Sequence, residues 1–143
     1  MNKPVWPAPG RNLKVLILGV LVLAGCGRSD RAQLTGTVAL DGRPVEGAML
    51  NFVPTSLETG AGSALTDQRG RYRAVTSRTI HWIMPGTYQV EIYGPAAWAA
   101  EQGLPAPENA VRISGRYRGP DTELLVEVGP GRNTHHFELG GAQ

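Results

Sequence analysis

The chain has 143 residues, a formal net charge of +2 and a single cysteine. One cysteine cannot close a disulfide within the chain, and no second thiolate is present to help hold a zinc ion. From residue 26 onward, 118 residues contain eleven arginines, twelve acidic residues and no lysine, a net charge of −1 that argues against nucleic-acid binding. This length suits one domain.

The N-terminal segment has the pattern of a secretory signal peptide. Two lysines and an arginine precede a short apolar stretch, residues 15–23. As a helix this stretch would be about 14 Å long, less than half of a ~30 Å hydrocarbon core, so it is too short to span a membrane. Basic residues, a short apolar segment and small residues after it are typical of a cleaved signal. We therefore assign residues 1–25 to a signal peptide.

The cysteine follows this segment directly, in Leu23-Ala24-Gly25-Cys26. This tetrapeptide resembles the lipobox of bacterial lipoproteins. The resemblance implies cleavage between Gly25 and Cys26 and a diacylglyceryl group on the Cys26 thiol, so that the protein would partner membrane lipid through its acylated N-terminus. Two or three acyl chains, at about 0.8 kcal/mol per buried methylene, anchor a protein stably. The alternative is an ordinary cleaved signal followed by an incidental cysteine.

The lipobox implies an extracytoplasmic, membrane-anchored protein, at the periplasmic face or in the outer membrane. Gly27, rather than an aspartate, follows the cysteine. By resemblance to the sorting of enterobacterial lipoproteins, this favours the outer membrane. Residues 26–32 form a short, mostly polar stretch, which we interpret as a lipidated tether.

From residue 33 onward, apolar residues alternate with polar ones between turns rich in Gly, Pro, Asp and Asn. A period of two is typical of half-buried β-strands. Only residues 96–103 have an Ala-rich, helix-forming composition. We therefore predict an all-β domain over residues 33–140, a single antiparallel Greek-key β-sandwich of the prealbumin or Ig-like kind. About seven strands are predicted, at residues 34–40, 48–53, 63–66, 71–76, 87–94, 123–128 and 135–139.

The last two predicted strands are expected to pair with each other. Between them, residues 129–133 (GPGRN) have the composition of a tight turn. In such a closing hairpin Leu125, Val126 and Val128 would pair with Phe137 and Leu139. Phe137 is predicted to lie in the core.

Three blocks of turn residues resemble the carboxypeptidase regulatory-like, or transthyretin-like, β-sandwich family. They are Asp-Gly-x-Pro-x-x-Gly-Ala at residues 41–48, Thr-Asp-x-x-Gly-x-Tyr at 66–72 and Pro-Gly-x-Tyr at 85–88. Residues 117–139 are similar to the ending of small planctomycete-type lipoproteins that carry this domain. The resemblance implies a scaffold role for the blocks and carries over no catalytic residue. In the second block Asp67 can accept turn N–H groups, with Gly70 in the left-handed region.

Two motifs that could indicate an enzyme are interpreted otherwise. His135-x-x-Glu138 has the zinc-ligand spacing of metallocarboxypeptidases, but residues i and i+3 of a strand point to opposite faces. Tyr117-Arg118-Gly119 is similar to the C-terminal tetrapeptide of transthyretin-like hydroxyisourate hydrolases, yet 24 residues follow Gly119. No serine lies in a nucleophile motif. We expect a non-catalytic protein without metal or cofactor, and a transthyretin-like hydrolase is the alternative.

A long segment, residues 94–115, separates two predicted strands and is the candidate for a binding surface. A hairpin needs about two to five residues, and longer excursions commonly cover a sheet edge or present a surface. Residues 110–114 (AVRIS) could form a short edge strand. Trp, Tyr and Arg dominate binding hot spots. Residues of these types in or next to the segment are Trp98, Arg116, Tyr117 and Arg118.

Two interpretations of this segment stay open. Trp98 and Leu104 could fold back and cap one end of the sandwich, or Trp98 could join the arginines as a recognition patch. A carbohydrate-binding module is a further possibility, for which Trp82, Tyr93 and Trp98 would provide stacking surfaces. The predicted function is a non-catalytic envelope lipoprotein with a structural, adhesion or protein-interaction role. Its partner would be an envelope protein or a polysaccharide.

Overall fold

The structure, a computed structural model, describes residues 30–141. The predicted signal peptide, Cys26 and most of the predicted tether lie outside the described residues. Within residues 30–141 the chain forms nine strands, one short helix and one 3-10 turn, and neither helix is long and apolar enough to cross a membrane. The elements are β1 (Ala32–Leu40), β2 (Arg43–Pro44), β3 (Met49–Pro54), β4 (Gly62–Leu65), β5 (Arg71–Arg73), β6 (Gly86–Tyr93), α1 (Pro95–Glu101), the 3-10 turn (Gly115–Tyr117), β7 (Leu125–Val128), β8 (Gly131–Thr134) and β9 (Phe137–Leu139).

The strands form two sheets that enclose one core. β1 is the centre of the five-stranded sheet, with β2 and β5 along one edge and β8 and β9 along the other. The four-stranded sheet has the order β4-β3-β6-β7, and its pairs are antiparallel. The predicted all-β sandwich is therefore confirmed, with nine short strands in place of about seven. Its sheets are mostly antiparallel, as predicted, but β1 pairs in parallel with β8 and β9.

The predicted closing hairpin is wrong. β7 pairs with β6, whereas β8 and β9 both run parallel to β1, with Phe137 opposite Val38. The turn at residues 129–130 therefore leads the chain from one sheet to the other. The Asn133 side chain holds this turn, because it accepts the Gly129 N–H at 3.0 Å and donates to the Gly129 carbonyl at 2.7 Å. Alternation identifies the buried face of a strand but not its neighbour, so a tight turn between two such segments does not establish a hairpin.

Other boundaries differ from the prediction by smaller amounts. β1 begins at Ala32, one residue inside the stretch assigned to the tether. The strand predicted at residues 71–76 is limited to Arg71–Arg73. Residues 110–114 form no strand, although Ile113 packs against the core. The predicted helix is present as α1.

The core lies between the sheets and follows the predicted alternation. On β6, Tyr88 and Ile92 are fully buried, as is Phe52 on the neighbouring β3. The Phe52 ring lies 6.2 Å from Tyr88 in an edge-on arrangement and 6.0 Å from Tyr72 of the opposite sheet. Phe137 is 4% exposed, which confirms its predicted place in the core.

Gly36, in the middle of β1, allows close approach of the segment that joins β8 to β9. His135 in that segment donates its N–H to the Thr35 carbonyl at 2.9 Å. Its own carbonyl oxygen accepts the Tyr72 hydroxyl at 2.8 Å and lies where a side chain on Gly36 would begin. Burial raises the pKa of Tyr72 well above its usual value of 10.0, so the hydroxyl remains a donor at neutral pH.

The sandwich has two ends, which we call proximal, where β1 begins, and distal, where β1 ends. The β3–β4 loop (55–61), the β5–β6 segment (74–85) and the β7–β8 turn (129–130) lie at the proximal end. They adjoin one another: Ala32 pairs with Ile83, and the Thr59 side chain lies against Gly86. The distal end carries the β1–β2 turn, the β2–β3 segment (45–48) and α1, and the β2–β3 segment approaches α1 where Gly47 faces Pro95.

Candidate functional site

The predicted anchor residues, Gly25 and Cys26, lie outside the described residues, so lipidation stays a prediction. The chain is already part of the sandwich at Ala32, six residues after Cys26. Ala32 is buried and exchanges two backbone hydrogen bonds with Ile83, at 2.8 and 2.9 Å. An anchor at Cys26 would therefore hold the proximal end of the domain close to a membrane.

The structure brings Arg116 and Tyr117 of the predicted recognition patch into direct contact. The Arg116 guanidinium lies 4.7 Å from the centre of the Tyr117 ring and donates to the Tyr117 hydroxyl. Tyr117 is only 9% exposed, and its hydroxyl also accepts the Gly140 N–H at 3.0 Å. Tyr117 is therefore chiefly a core residue that ties the 3-10 turn to the end of β9. Arg116 is the exposed member of the pair.

The Arg116–Tyr117 pair borders an open cavity of about 510 Å³. Its other lining residues are Asp121, Glu123 and Leu124. The cavity therefore offers both signs of charge and one aliphatic side chain, but no aromatic face besides the buried Tyr117.

Trp98 and Arg118 do not line this cavity. Trp98 lies on α1, where it is half-buried, and Arg118 is exposed just after the 3-10 turn. Leu104 is 61% exposed and so does not fold back as a cap, whereas Ala99 of α1 is buried. Residues 94–115 thus cover the sandwich through few side chains, and much of the apolar surface of this segment is exposed to solvent.

The three aromatic residues proposed for sugar stacking do not share one surface. Trp82 precedes β6 at the proximal end, whereas Tyr93 ends β6 and Trp98 follows it at the distal end. β6 has eight residues, which corresponds to about 25 Å of extended chain. A platform would therefore contain at most Tyr93 and Trp98.

A second group of side chains, which the sequence reasoning missed as a group, lies at the proximal end. It lines an open cavity of about 510 Å³, and neither Asp nor Glu is among the lining residues. We call its basic and aromatic members the proximal cluster, which comprises Arg31, Arg73, His81, Trp82 and Arg132.

Several elements position the proximal cluster. Arg73 is the last, outward-facing residue of β5, and Arg132 lies on β8, so the two strands beside β1 contribute one arginine each. The Thr76 hydroxyl donates to the Trp82 carbonyl at 2.7 Å and fixes the β5–β6 segment. The Arg31 guanidinium lies 5.2 Å from the centre of the Trp82 ring, at cation–π distance. The cluster is therefore a positively charged surface around a half-buried indole.

Two arginines of the proximal cluster, Arg73 and Arg132, form no ion pair within residues 30–141. Among residues 30–141 the ion pair joins Arg71 to Asp67, at 3.0 Å, and no carboxylate is within ion-pair distance of Arg73 or Arg132. Hydrogen bonds from the Arg71 and Arg69 N–H groups lower the pKa of Asp67, which confirms its predicted role as the acceptor of this turn.

No local motif joins the members of the proximal cluster, since Arg31 and Arg132 are about 100 positions apart. The one local signal is the alternation in Arg71-Tyr72-Arg73, where a buried tyrosine leaves both arginines facing solvent. The convergence depends on β5 and β8 lying on opposite sides of β1. Strand neighbours separated this far in the chain cannot be read from periodicity.

His135 and Glu138 have separate partners, in agreement with their predicted divergence. The His135 ring lies 4.6 Å from the Phe137 ring, whereas Glu138 accepts the Gly42 N–H at 2.7 Å. Within the part of the chain that the structure describes, no three His, Cys, Asp or Glu side chains are grouped so that they could hold a metal ion.

Comparison with known proteins gives a fold similarity alone. No protein-family model matches the chain, and no curated protein matches its sequence. The fold is similar to the crystal structure of a DUF3823 family protein from Parabacteroides merdae, with a TM-score of 0.47 and 13% identity over 78% of this chain and 46% of that one. A 9R-lipoxygenase from Cyanothece is similar with a TM-score of 0.35 and 12% identity, over 78% of this chain and 16% of that one. The chain therefore spans less than half the length of either protein.

Proposed function

We propose that the protein is a non-catalytic, membrane-anchored lipoprotein of the bacterial cell envelope. Signal peptidase II would remove residues 1–25, and the acylated Cys26 would hold the β-sandwich on the extracytoplasmic side, at the periplasmic face or in the outer membrane. One observation carries the proposal: Leu23-Ala24-Gly25-Cys26 ends the apolar segment, and the folded domain begins only six residues later. A mature N-terminus at Cys26 thus leaves the whole sandwich intact.

We further propose that the domain is of the carboxypeptidase regulatory-like, or transthyretin-like, type found in small planctomycete-type lipoproteins. The turn geometry supports this assignment. Asp41 and Gly42 both have positive φ, 49° and 77°, and form the tight turn between β1 and β2. The buried Thr66 hydroxyl donates to the Val45 carbonyl at 2.6 Å and accepts the Ala48 N–H at 2.8 Å. The characteristic residues therefore act as scaffold.

The contacts of the histidines support a non-catalytic role. His136 shares a 2.9 Å hydrogen bond with the Thr37 hydroxyl, and His135 packs against Phe137. His81 is exposed in the proximal cluster. A hydrolase would need a histidine paired with both a nucleophile and an orienting group. Among the described residues His136 has no side-chain hydrogen bond besides the one to Thr37, so no group orients its ring.

The proposed partner is an envelope protein or polysaccharide that contacts the exposed part of residues 96–118. Leu104 and Val111 are 61% and 37% exposed, and two exposed arginines, Arg116 and Arg118, follow them in the chain. Several of these groups are on or next to the distal end, which an N-terminal anchor would leave accessible. Apolar groups with flanking arginines suit a protein interface.

The anchor is tested on the full-length chain expressed in a bacterial host with its signal intact. Intact mass of the membrane-extracted protein should correspond to a chain that starts at acylated Cys26. Cys26→Ser should lose the lipid and leave the membrane fraction, whereas Ser29→Ala, outside the lipobox, should retain both. An unmodified mature chain that starts at another residue would contradict the proposal.

A further inference from the structure

We propose that the proximal cluster is a docking surface for the phosphate head groups of an anionic membrane, the same membrane that holds the acyl chains. This inference rests on the proposed anchor at Cys26. It adds that the domain is held in one orientation, with its proximal end against the lipid and its distal end directed away from it.

The length of the tether brings the cluster to the membrane. Five residues lead from Cys26 to Arg31, and even fully extended they span no more than about 18 Å. β1 then runs for nine residues, about 30 Å, toward the distal end. The proximal end therefore stays close to the lipid whichever way the domain turns, while the distal end does so only if the domain lies on its side.

The charges at this end favour an anionic surface. Arg78 is exposed in the β5–β6 segment beside the cluster and has no carboxylate at ion-pair distance within residues 30–141. The proximal end thus carries four arginines, whereas its acidic residues are Asp30, Glu58 and, on β7, Glu127. From residue 26 onward the chain has a net charge of −1, so positive charge is concentrated here. Surface arginines attract anionic lipid within a Debye length of about 8 Å.

One cavity at the distal end has the opposite charge character. The cavity between the β1–β2 region and residues 107–111 is lined by Glu46 and Glu108, and no arginine, lysine or histidine lines it. This part of the distal end is therefore negative where the proximal cluster is positive. A membrane with negative surface potential would attract the proximal end and repel this part of the distal end.

Apolar groups accompany the charges. Trp82 is half-buried beneath the Arg31 guanidinium, and the amphipathic indole suits the head-group region of a bilayer. Leu57, in the β3–β4 loop, is fully exposed, and Thr59 holds that loop against the start of β6. The cavity is open, and its arginines come from β5, from β8 and from the residue before β1. This arrangement suits an array of head groups better than one enclosed anion.

Trp82 provides the readout. Trp6 belongs to the signal peptide, so a Trp98→Phe background leaves Trp82 as the single tryptophan of the mature protein. The acylated, full-length mature protein is reconstituted into vesicles of phosphatidylcholine alone or mixed with phosphatidylglycerol. Quenching of Trp82 by acrylamide and by brominated lipid is then measured for each composition.

We expect Trp82 to be shielded from acrylamide and quenched by brominated lipid only in the phosphatidylglycerol mixture, and less so at high salt. Each arginine near an anionic surface contributes about a fivefold change in binding. Arg73→Gln combined with Arg132→Gln should therefore lower the ratio of docked to undocked protein about 25-fold. The charge-matched control Arg43→Gln with Arg112→Gln, near the distal end, should leave it unchanged. Arg73→Lys with Arg132→Lys should retain docking, which separates charge from folding.

Failure of the anchor and failure of docking give different results. Protein that does not float with either kind of vesicle refutes the anchor. If the protein floats with both kinds but Trp82 is quenched equally in both, the anchor stands and docking is refuted. Docking on lipid is likewise overturned if inorganic phosphate shields Trp82 on phosphatidylcholine vesicles, or if only native envelopes, and not phosphatidylglycerol vesicles, shield it.

Discussion

Replacing Gly36 by alanine tests the closest backbone approach in the sandwich. The new methyl group would meet the His135 carbonyl oxygen well inside van der Waals contact and would lie 3.0 Å from a ring carbon of Tyr72. The oxygen must retreat by more than about 1 Å, because a close-packed interior cannot absorb such an overlap. Since that oxygen belongs to backbone, the movement displaces the whole segment between β8 and β9.

The expected loss of stability follows from the contacts that would break. Displacement of His135 strains its 2.9 Å hydrogen bond to Thr35 and the 2.8 Å hydrogen bond from the Tyr72 hydroxyl. Leaving one buried polar group unsatisfied costs about 1–3 kcal/mol, and overpacking adds about 1–3 kcal/mol. We expect Gly36→Ala to lower the free energy of unfolding by about 3–5 kcal/mol, a large part of what a domain of this size has.

Urea unfolding of a soluble form lacking residues 1–26, followed by circular dichroism, measures this change. Gly129→Ala is the matched control, because a Cβ there would be 3.8 Å from its nearest neighbour, an oxygen of Asn133. The control should be neutral or slightly stabilising. A loss below about 1 kcal/mol for Gly36→Ala would show that the β8–β9 segment shifts freely, and would refute the tight pairing of β1 with the C-terminal strands.

Three further predictions use the same soluble form. Phe137→Ala should lower the free energy of unfolding by about 3–5 kcal/mol in urea titration, since it leaves a cavity beside Tyr72; a loss under about 1 kcal/mol would show that the Phe137 side chain lies outside the core. The pKa of Asp67 is lower in the folded than in the unfolded protein, so its stabilisation is present above the usual value of 3.8 and disappears as the pH falls through the folded value. In Asp67→Asn the urea midpoint of unfolding should therefore fall less steeply as the pH is lowered into the acid range. The same acid dependence as in the unchanged protein would contradict this. Replacing residues 96–108 by a short Gly-Ser linker should leave the melting temperature nearly unchanged, because Ala99 is the buried residue there. The same replacement in the anchored protein should abolish cross-links to envelope partners. If the domain unfolds instead, the segment is a lid that caps the sandwich and not a binding surface.

The sequence was sufficient for the fold class but not for the arrangement of the strands. The buried positions of β6 and Phe137 follow from period-two alternation, and the turn at Asp67 follows from its residue types. The partners of β7 and β9 did not follow, because a hairpin and a crossing between sheets place the same side chains in the core. β8, with the sequence GRNT, has no apolar alternation at all and is a strand only because β1 offers it an edge.

The candidate sites also divide into those that neighbouring residues in the chain define and those that depend on long-range pairing. Cys26 belongs to a contiguous motif, so the sequence alone is enough to predict an anchor there. The contact of Arg116 with Tyr117 joins neighbours in the chain, but the burial of Tyr117 depends on Gly140, 23 positions later. The proximal cluster required the register of β5 and β8 on β1, which brings Arg73 and Arg132 to the same end. Long-range pairing therefore limited the prediction of both the fold and the sites.

The pairing of the first strand with the last two has a consequence for the order in which the domain can assemble. β1 emerges first during synthesis, yet its β8 and β9 neighbours lie about 100 residues later in the chain. Bringing such distant segments together pays the loop-closure entropy before most contacts form, and high contact order slows folding. An N-terminal fragment that ends before β8 leaves one whole edge of β1 unpaired. The five-stranded sheet therefore closes only after nearly the entire chain is available.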